Sequence, residues 1–331
     1  ALSHDRIYNI IKMGHIGTDI QQAITLLESG KLVAIPTETV YGLAANALNV
    51  DAIAEVFKAK NRPSFDPLII HLANADGLDK YVKSMDPSFI RIYERFSPGP
   101  ISFVLHKKDL IPDLVTAGHS TVAIRFPMHL TAQALLSNLD FPLAAPSANL
   151  FGRVSPTSAA HVEEQLGDKI DYILDGGQCT IGLESTIIDL STKKPKVLRL
   201  GGLSLEELED CLGEVITFTK NSSSNPKAPG MLSAHYSPGI PVIFGNLAKN
   251  LKQVNRHRCG IISFRDMLPG VPEENQRVLS PKGDLKEAAA ALFRSLRSFN
   301  TDDIDQILAE EFPKEGLGRA INDRLKRASA S

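Results

Sequence analysis

Three short stretches within residues 36–71 carry side chains suited to gripping a small anion: Pro36-Thr-Glu-Thr-Val-Tyr-Gly42, Lys60-Asn-Arg-Pro63 and Pro67-Leu-Ile-Ile-His71. The first is rich in hydroxyls. It follows an apolar run at residues 32–35 that reads as a buried strand ended by Pro36. In open α/β sheets, ligands gather at the carboxyl ends of strands. Residues 51–60 have helical spacing, with Ile53, Val56 and Phe57 on one side, and they bring Lys58, Lys60 and Arg62 together near a helix C-terminus. Cations there also complement the helix dipole. The dipole does not account for an Arg followed by Pro, or for His71 inside the next apolar strand. A hydroxyl-rich loop, a basic cluster and a strand histidine in one supersecondary unit point to an anion site.

Other candidates have ordinary readings beside the chemical one. Arg125 ends the apolar run Val122-Ala-Ile, and a buried Arg is rare unless paired, so an ion pair with a protein carboxylate competes with ligand binding. Thr39 could cap its own turn. His71 could be a satisfied core histidine, and Ser185 could simply bond a neighbouring strand. Lys60 and Arg62, set beside Ser147 and Asn149, could be a solvated helix end and a turn. No P-loop, complete G-x-G-x-x-G, H-E-x-x-H or G-x-S-x-G pattern occurs, so any nucleotide site must be built from dispersed side chains. Cys179, Cys211 and Cys259 are too scattered for a disulfide framework or a zinc site.

These residues need a scaffold, and 331 residues allow two domains at roughly 150 residues each. With 43% hydrophobic and 22% charged residues the composition is that of an ordinary globular protein. A net charge of -2 argues against coating nucleic acid electrostatically, while a local basic pocket remains compatible with it. No apolar run approaches the ~20 residues of a membrane span, and no basic-then-apolar leader is read, so a cytoplasmic protein is expected. Strands are expected at residues 32–35, 68–72, 101–106, 122–126, 143–145, 172–174, 185–190 and 197–200. Helices are expected at 19–28, 51–60, 87–96, 129–138 and 158–166. This irregular alternation favours an α/β fold with a twisted mixed sheet over a regular doubly wound one. Residues 220–241 then turn rich in Ser, Asn, Pro and Gly and read as a linker, with Met231, His235 and Tyr236 unusually sticky for a passive tether. A second, small α/β domain, Rossmann-like, is expected from strands at 242–244, 261–264, 277–279 and 304–309, with helices at 246–255, 284–299 and 317–327. The division expected is therefore 1–218 (core about 18–204), a linker or lid at 219–240, and 241–331. The charged last helix, Arg319 to Arg327, is read as a solvated face.

In chain order, Thr37-Glu-Thr-Val-Tyr-Gly-Leu43, Ala59-Lys-Asn-Arg-Pro63, Pro67-Leu68, Val115-Thr-Ala-Gly118, Thr121-Val-Ala-Ile-Arg125, Leu143-Ala-Ala-Pro-Ser-Ala-Asn149, Ser155-Pro156, Ile173-Leu-Asp-Gly-Gly177 and Glu184-Ser-Thr186 resemble the motifs of the YrdC-like family. Its members make L-threonylcarbamoyladenylate. Pro229-Gly-Met231 and His235-Tyr-Ser-Pro238 resemble the linker of its two-domain form, so the likeness covers nearly the whole chain.

The resemblance implies a twisted sheet with a concave pocket and a nucleotidyltransferase reaction. L-threonine and bicarbonate or CO2 would form N-carboxythreonine, which attacks the α-phosphorus of ATP to give threonylcarbamoyl-AMP and pyrophosphate. It places Thr39, His71, Arg125, Ser185 and the Ala145 backbone around threonine. It assigns Lys60, Arg62, Asp66, Thr121, Ser147, Asn149, Ser155, Arg199 and Tyr236 to ATP, with Lys60 and Arg62 catalytic. Mg2+ would come with the triphosphate, with few or no direct protein ligands. The product would pass through downstream transferase proteins to tRNA, direct tRNA contact being left open. An RNA-binding module or a carbamoyl-transfer domain of the same fold are the rivals. The chain departs from the pattern at Ser97, where an aromatic is common, at Leu200, where Pro is usual, and at Leu232-Ser-Ala234, where basic residues are frequent.

Overall fold

The computed structural model describes residues 15–218, 226–229 and 235–331. Met231, Leu232-Ser-Ala234 and most of the Ser/Asn tether lie outside the described residues. The larger sheet contains β1 (His15–Gly17), β2 (Val33–Ile35), β3 (Gly42–Asn46), β4 (Ile69–His71), β5 (Ile101–His106) and β6 (Thr121–Arg125). It continues with β7 (Leu143–Ala144), β8 (Tyr172–Leu174), β9 (Thr186–Asp189), β10 (Lys196–Arg199) and β11 (Thr217–Phe218). Among the described residues these lie in the order β1-β8-β2-β3-β7-β4-β6-β5-β9-β10-β11, mixing parallel and antiparallel pairings. This is the mixed α/β sheet expected from the alternation of elements.

Local chemistry explains where the key helix stops. Asn49 caps the helix Val50–Lys60 by accepting from Asp51 N and Ala52 N. At the other end Asn61 adopts the left-handed conformation, with φ 51°, and Arg62 N donates to Phe57 O. That closure turns Arg62 away from the helix axis and back toward the sheet.

A second sheet follows, made of β12 (Val242–Gly245), β13 (Cys259–Ser263), β14 (Gln276–Val278) and β15 (Gln306–Glu310), all parallel in the order β12-β15-β13-β14. Its helices Leu285–Arg297 and Gly318–Ala328 dock on the first sheet's domain. Arg297 donates to the carbonyls of Val154 at 2.5 Å and Ser155 at 3.4 Å. One apolar cluster joins Val154, Leu183 and Leu203 of the first unit to Tyr236 of the linker and to Leu292, Phe293 and Ile307 of the second. Burying a Phe or Leu side chain contributes ~1.5–3 kcal/mol, so this seam is structural.

One expectation changes. The last helix is not a solvated face, because Arg324 is fully buried. Its guanidinium finds carboxylates on both sides, which the sequence pattern of alternating charge does not reveal. The chain past Arg199 is also well fixed despite Leu200 standing where Pro is usual. Arg324 Nη2 donates to Leu200 O at 2.8 Å and Leu203 N to Thr186 Oγ1 at 3.1 Å.

Candidate functional site

Sheet register assembles one end of a cleft. On neighbouring parallel strands His71 pairs with Arg125, and on the other side Arg125 pairs with Ser102 of β5. Directly paired residues share a face, so the three side chains stand in a row. Ser185, just before β9, completes it: its hydroxyl lies 2.7 Å from Ser102 Oγ.

The turn after β2 closes over this row. Thr37, rather than Thr39, makes the turn: its Oγ1 accepts from Thr39 N and Val40 N, at 3.2 and 3.3 Å. Thr39 is buried with its hydroxyl 2.9 Å from that of Thr37. Glu38 points inward, so that Arg125 Nη2 lies 2.8 Å from Glu38 Oε1. The competing ion pair for Arg125 therefore exists, close but without the alignment of a hydrogen bond, and the other Glu38 oxygen accepts from Met128 N at 3.0 Å. Arg125 Nε, also buried, has no hydrogen-bond partner among the described residues. Within the guanidinium, Nη2 thus faces a protein carboxylate while Nε is unpartnered among the described residues. Burial, reinforced by Arg125, pushes the His71 imidazole down to about 3, so it stays neutral beside the cation. Its Nδ1 lies 3.1 Å from Ile69 O.

The other end gathers cations. Arg62 pairs with Asp66 at 2.8 Å, both almost completely buried, and donates to Asp66 O at 3.2 Å and Pro67 O at 3.0 Å. Burial raises the Asp66 carboxyl against the opposing pull of Arg62, Lys60 and Arg199. Lys60 does not reach the cleft surface: its buried Nζ donates to Ser147 O at 2.5 Å and to Asn149 O. Burial first, then Arg62, lowers its pKa well below an ordinary lysine's. It thus ties the helix end to the Ser147–Asn149 turn. Asn149 donates to Leu150 O and Arg153 O, leaving its own Oδ1, like Asp66 Oδ1, buried without a partner among the described residues.

Arg199 comes from β10. Its Nε and Nη2 donate to Ser185 O, at 3.0 and 2.9 Å, and its Nη1 to Pro229 O at 3.1 Å. Burial lowers it to about 10, so it remains a cation at neutral pH. Tyr236 sits in a left-handed conformation, φ 69°, unusual for a bulky residue and typical of functional strain. Its ring stacks on Phe293 at 5.5 Å, and Ser237 N donates to Gly152 O at 2.8 Å. Tyr236 is thus a fixed wall of the cleft in this structure, anchored to both domains.

The resulting cleft is partly open to solvent, with about 490 Å³ of empty space counted out into that opening, and eight of the expected site residues line it: Arg62, His71, Arg125, Ala145, Ser147, Ser185, Arg199 and Tyr236. Behind the wall lie Lys60, Thr39, Asp66, Asn149 and Ser155. Thr121 is at the far end of β6 from Arg125, ~13 Å away by strand rise, beside the chain entering β4. Ala145 N is already bonded to Ile69 O.

Sequence reasoning missed Glu184 as a lining residue. It accepts from Ser155 Oγ at 2.7 Å and Arg324 Nε at 3.0 Å. Burial alone would raise its pKa, but Arg324, Arg199 and the Ser155 hydroxyl overcome this and hold it at about 2. The ring of His235 is also at the cleft, neutral, with burial lowering it to about 3.

Gly201 secures this corner. A Cβ there would fall 2.3 Å from Glu184 O, 2.5 Å from Ser185 C and 2.5 Å from Thr186 N. These are backbone atoms that cannot swing aside. Gly201→Ala is expected to cost ~1–3 kcal/mol of stability, read as a lower denaturant midpoint with unchanged slope. A midpoint equal to wild type would show that the corner yields.

Comparison with known proteins gives a consistent likeness. Residues 25–201 match the Sua5/YciO/YrdC family model, described as telomere recombination, and residues 203–330 match the threonylcarbamoyl-AMP synthase C-terminal domain. The threonylcarbamoyl-AMP synthase of Pyrococcus abyssi is 40% identical over 326 residues, covering 94% of both chains. That of Bacillus subtilis is 39% identical over 321 residues, covering 94% of this chain and 92% of the relative. The crystal structure of P. abyssi Sua5 complexed with L-threonine matches with a TM-score of 0.87 at 38% identity, over 96% of this chain and 97% of that one.

Proposed function

The chain belongs to the two-domain threonylcarbamoyl-AMP synthase family, and from that premise we propose how its cleft joins L-threonine, bicarbonate or CO2, and ATP into threonylcarbamoyl-AMP and pyrophosphate. The observation that carries the reading is Arg125: a buried guanidinium with an unpartnered Nε, beside neutral His71, in the same cleft as Arg62 and Arg199. One end suits an amino acid's carboxylate and the other a polyphosphate.

Threonine's carboxylate meets Arg125 at its unpartnered Nε, with His71 and Ser185 offering polar anchors to the rest of the amino acid and Thr39 backing them from behind the wall. ATP lies along Arg62 and Arg199, against the Ser147–Asn149 turn and Tyr236. Asp66, Thr121 and Ser155 support that half. The N-carboxythreonine carboxylate then attacks the α-phosphorus, its new P–O bond forming as the bond to pyrophosphate breaks. This chemistry needs no protein nucleophile. The residues act by aligning two anions that would otherwise repel, and by fixed positive charge at the phosphoryl group.

Mg2+ is expected to arrive with the triphosphate. Among the described residues no group of three or more His, Cys, Asp or Glu side chains is arranged to hold an ion. Asp66 Oδ1 and Asn149 Oδ1, buried behind the cleft wall and unpartnered among the described residues, would take part only through water. When bound, the ion would offset phosphate charge. The product's threonylcarbamoyl group passes to tRNA through downstream transferase proteins. The reading carries a cytoplasmic location, and among the described residues no helix is long and apolar enough to cross a membrane.

The test is pyrophosphate release by purified protein with ATP and Mg2+. Release is expected only when threonine and bicarbonate are both present. Equal release without threonine would make the protein a plain ATPase. Tight RNA binding without release would favour the RNA-binding rival, and release driven by a carbamoyl donor instead of threonine would favour the carbamoyl-transfer one.

A further inference from the structure

The helix Gly318–Ala328 belongs to the second domain, yet one of its arginines reaches the wall of the cleft. Arg324 has no exposed surface, and every arm of it is engaged. Nε donates to Glu184 Oε2 at 3.0 Å, Nη2 to Leu200 O at 2.8 Å and Nη1 to Asp323 Oδ2 at 2.9 Å. The guanidinium carbon also lies 5.3 Å from the centre of the Tyr236 ring. Glu184 and Tyr236 both line the cleft, and Leu200 directly follows Arg199. The second Glu184 oxygen accepts from Ser155. A single side chain from the far domain therefore touches or acts one bond away from Ser155, Arg199 and Tyr236, all assigned above to ATP.

We propose that Arg324 is a positioning residue through which the second domain sets the nucleotide half of the cleft. The inference rests on the synthase reading. A carboxylate lining a site for a polyanion is a liability unless its charge is matched. Without Arg324, Glu184 would draw Arg199 off the carbonyls of Ser185 and Pro229, and the guanidinium needed by the nucleotide would be spent inside the protein. The Tyr236 ring, which packs against Phe293, His235 and Arg324, would lose the last of these contacts. Stability alone gives a poor account of the pair, since buried ion pairs can often be replaced by apolar residues at no loss.

The experiment uses full-length protein and measures ATP and threonine dissociation constants by titration calorimetry, beside pyrophosphate release. Arg324→Gln is expected to weaken ATP about tenfold, with threonine moving less than about twofold. Adding Glu184→Gln to Arg324→Gln removes the unpaired charge and should restore ATP binding to within about threefold of wild type. Equal weakening of both ligands, a lower melting temperature with unchanged affinities, or a double variant no better than Arg324→Gln would overturn the proposal. Should Arg324→Gln fail to fold, Arg324→Lys keeps the charge and one donor and should show the same split at about threefold. Wild-type ATP affinity in Arg324→Lys would equally overturn it. A wild-type protein that binds ATP but releases no pyrophosphate with threonine and bicarbonate would instead sink the synthase reading, while the ATP affinities still judge Arg324.

Discussion

Arg125→Lys is expected to lower kcat/KM for L-threonine by about tenfold to a hundredfold, with that for ATP changed by less than about threefold. A charge-assisted hydrogen bond is worth ~1.5–3 kcal/mol, and about 1.4 kcal/mol makes a decade. Lysine keeps the charge beside Glu38 but offers one compact ammonium in place of a planar fork. The single contact of Nη2 with Glu38 can be imitated, whereas the second donor at Nε, rigidly set beside it and now unpartnered among the described residues, cannot. The loss should fall on the ligand and not on the fold. Steady-state kinetics with each substrate varied in turn would show it. Wild-type threonine kinetics in a folded Arg125→Lys protein would return the residue to a purely internal ion pair.

A larger loss is expected for Lys60→Met, although Lys60 is not at the cleft surface. Its ammonium is the donor shared by the carbonyls of Ser147 and Asn149. Methionine retains the buried stem and removes that donor, leaving the Asn149 carbonyl without it at ~1–3 kcal/mol and Ser147 O with only Asn149 N at 3.0 Å. The turn should relax to find other partners, carrying Ser147 and the Pro146 segment away from the phosphates. Synthesis should fall on the order of a hundredfold to a thousandfold, with part of the cost appearing as a lower melting temperature. Circular dichroism and pyrophosphate release separate the two components. A Lys60→Met protein with near-normal synthesis would show that the turn holds without its tie.

Much of the scaffold was legible because apolar runs between turn residues left few alternatives. Residues 101–106 and 172–174 form strands with the bounds expected. The strand Gly42–Asn46 was missed, since Gly-Leu-Ala-Ala-Asn is made of small residues with neither alternation nor β-branching. The helix Leu205–Leu212 was also missed, although Ser204 and Glu207 form a capping box that announces its start. In the site, cations were visible because Lys60, Arg62, Arg125 and Arg199 stand out in apolar or turn contexts. Their roles were less so. Lys60 and Arg62 look alike in sequence, yet one ties backbone together and the other faces the cleft. Glu184 was passed over because a carboxylate runs against the logic of an anion site, and its partner lies 140 residues away. Nothing local can announce such a partner.

The seam between the two sheets has a thermodynamic meaning. Val154, Leu183 and Leu203 share one apolar cluster with Leu292, Phe293 and Ile307, so each half closes a large part of its hydrophobic interior against the other, beside smaller clusters of its own. Cooperativity then belongs to the whole chain and not to either sheet. A destabilising change in the small sheet lowers the population of competent cleft even when every ligand-facing atom is intact. A ligand that tightens the cleft in turn stabilises β12 to β15, which it never touches. Mutations in the second domain would thus act as losses of function without any chemistry of their own.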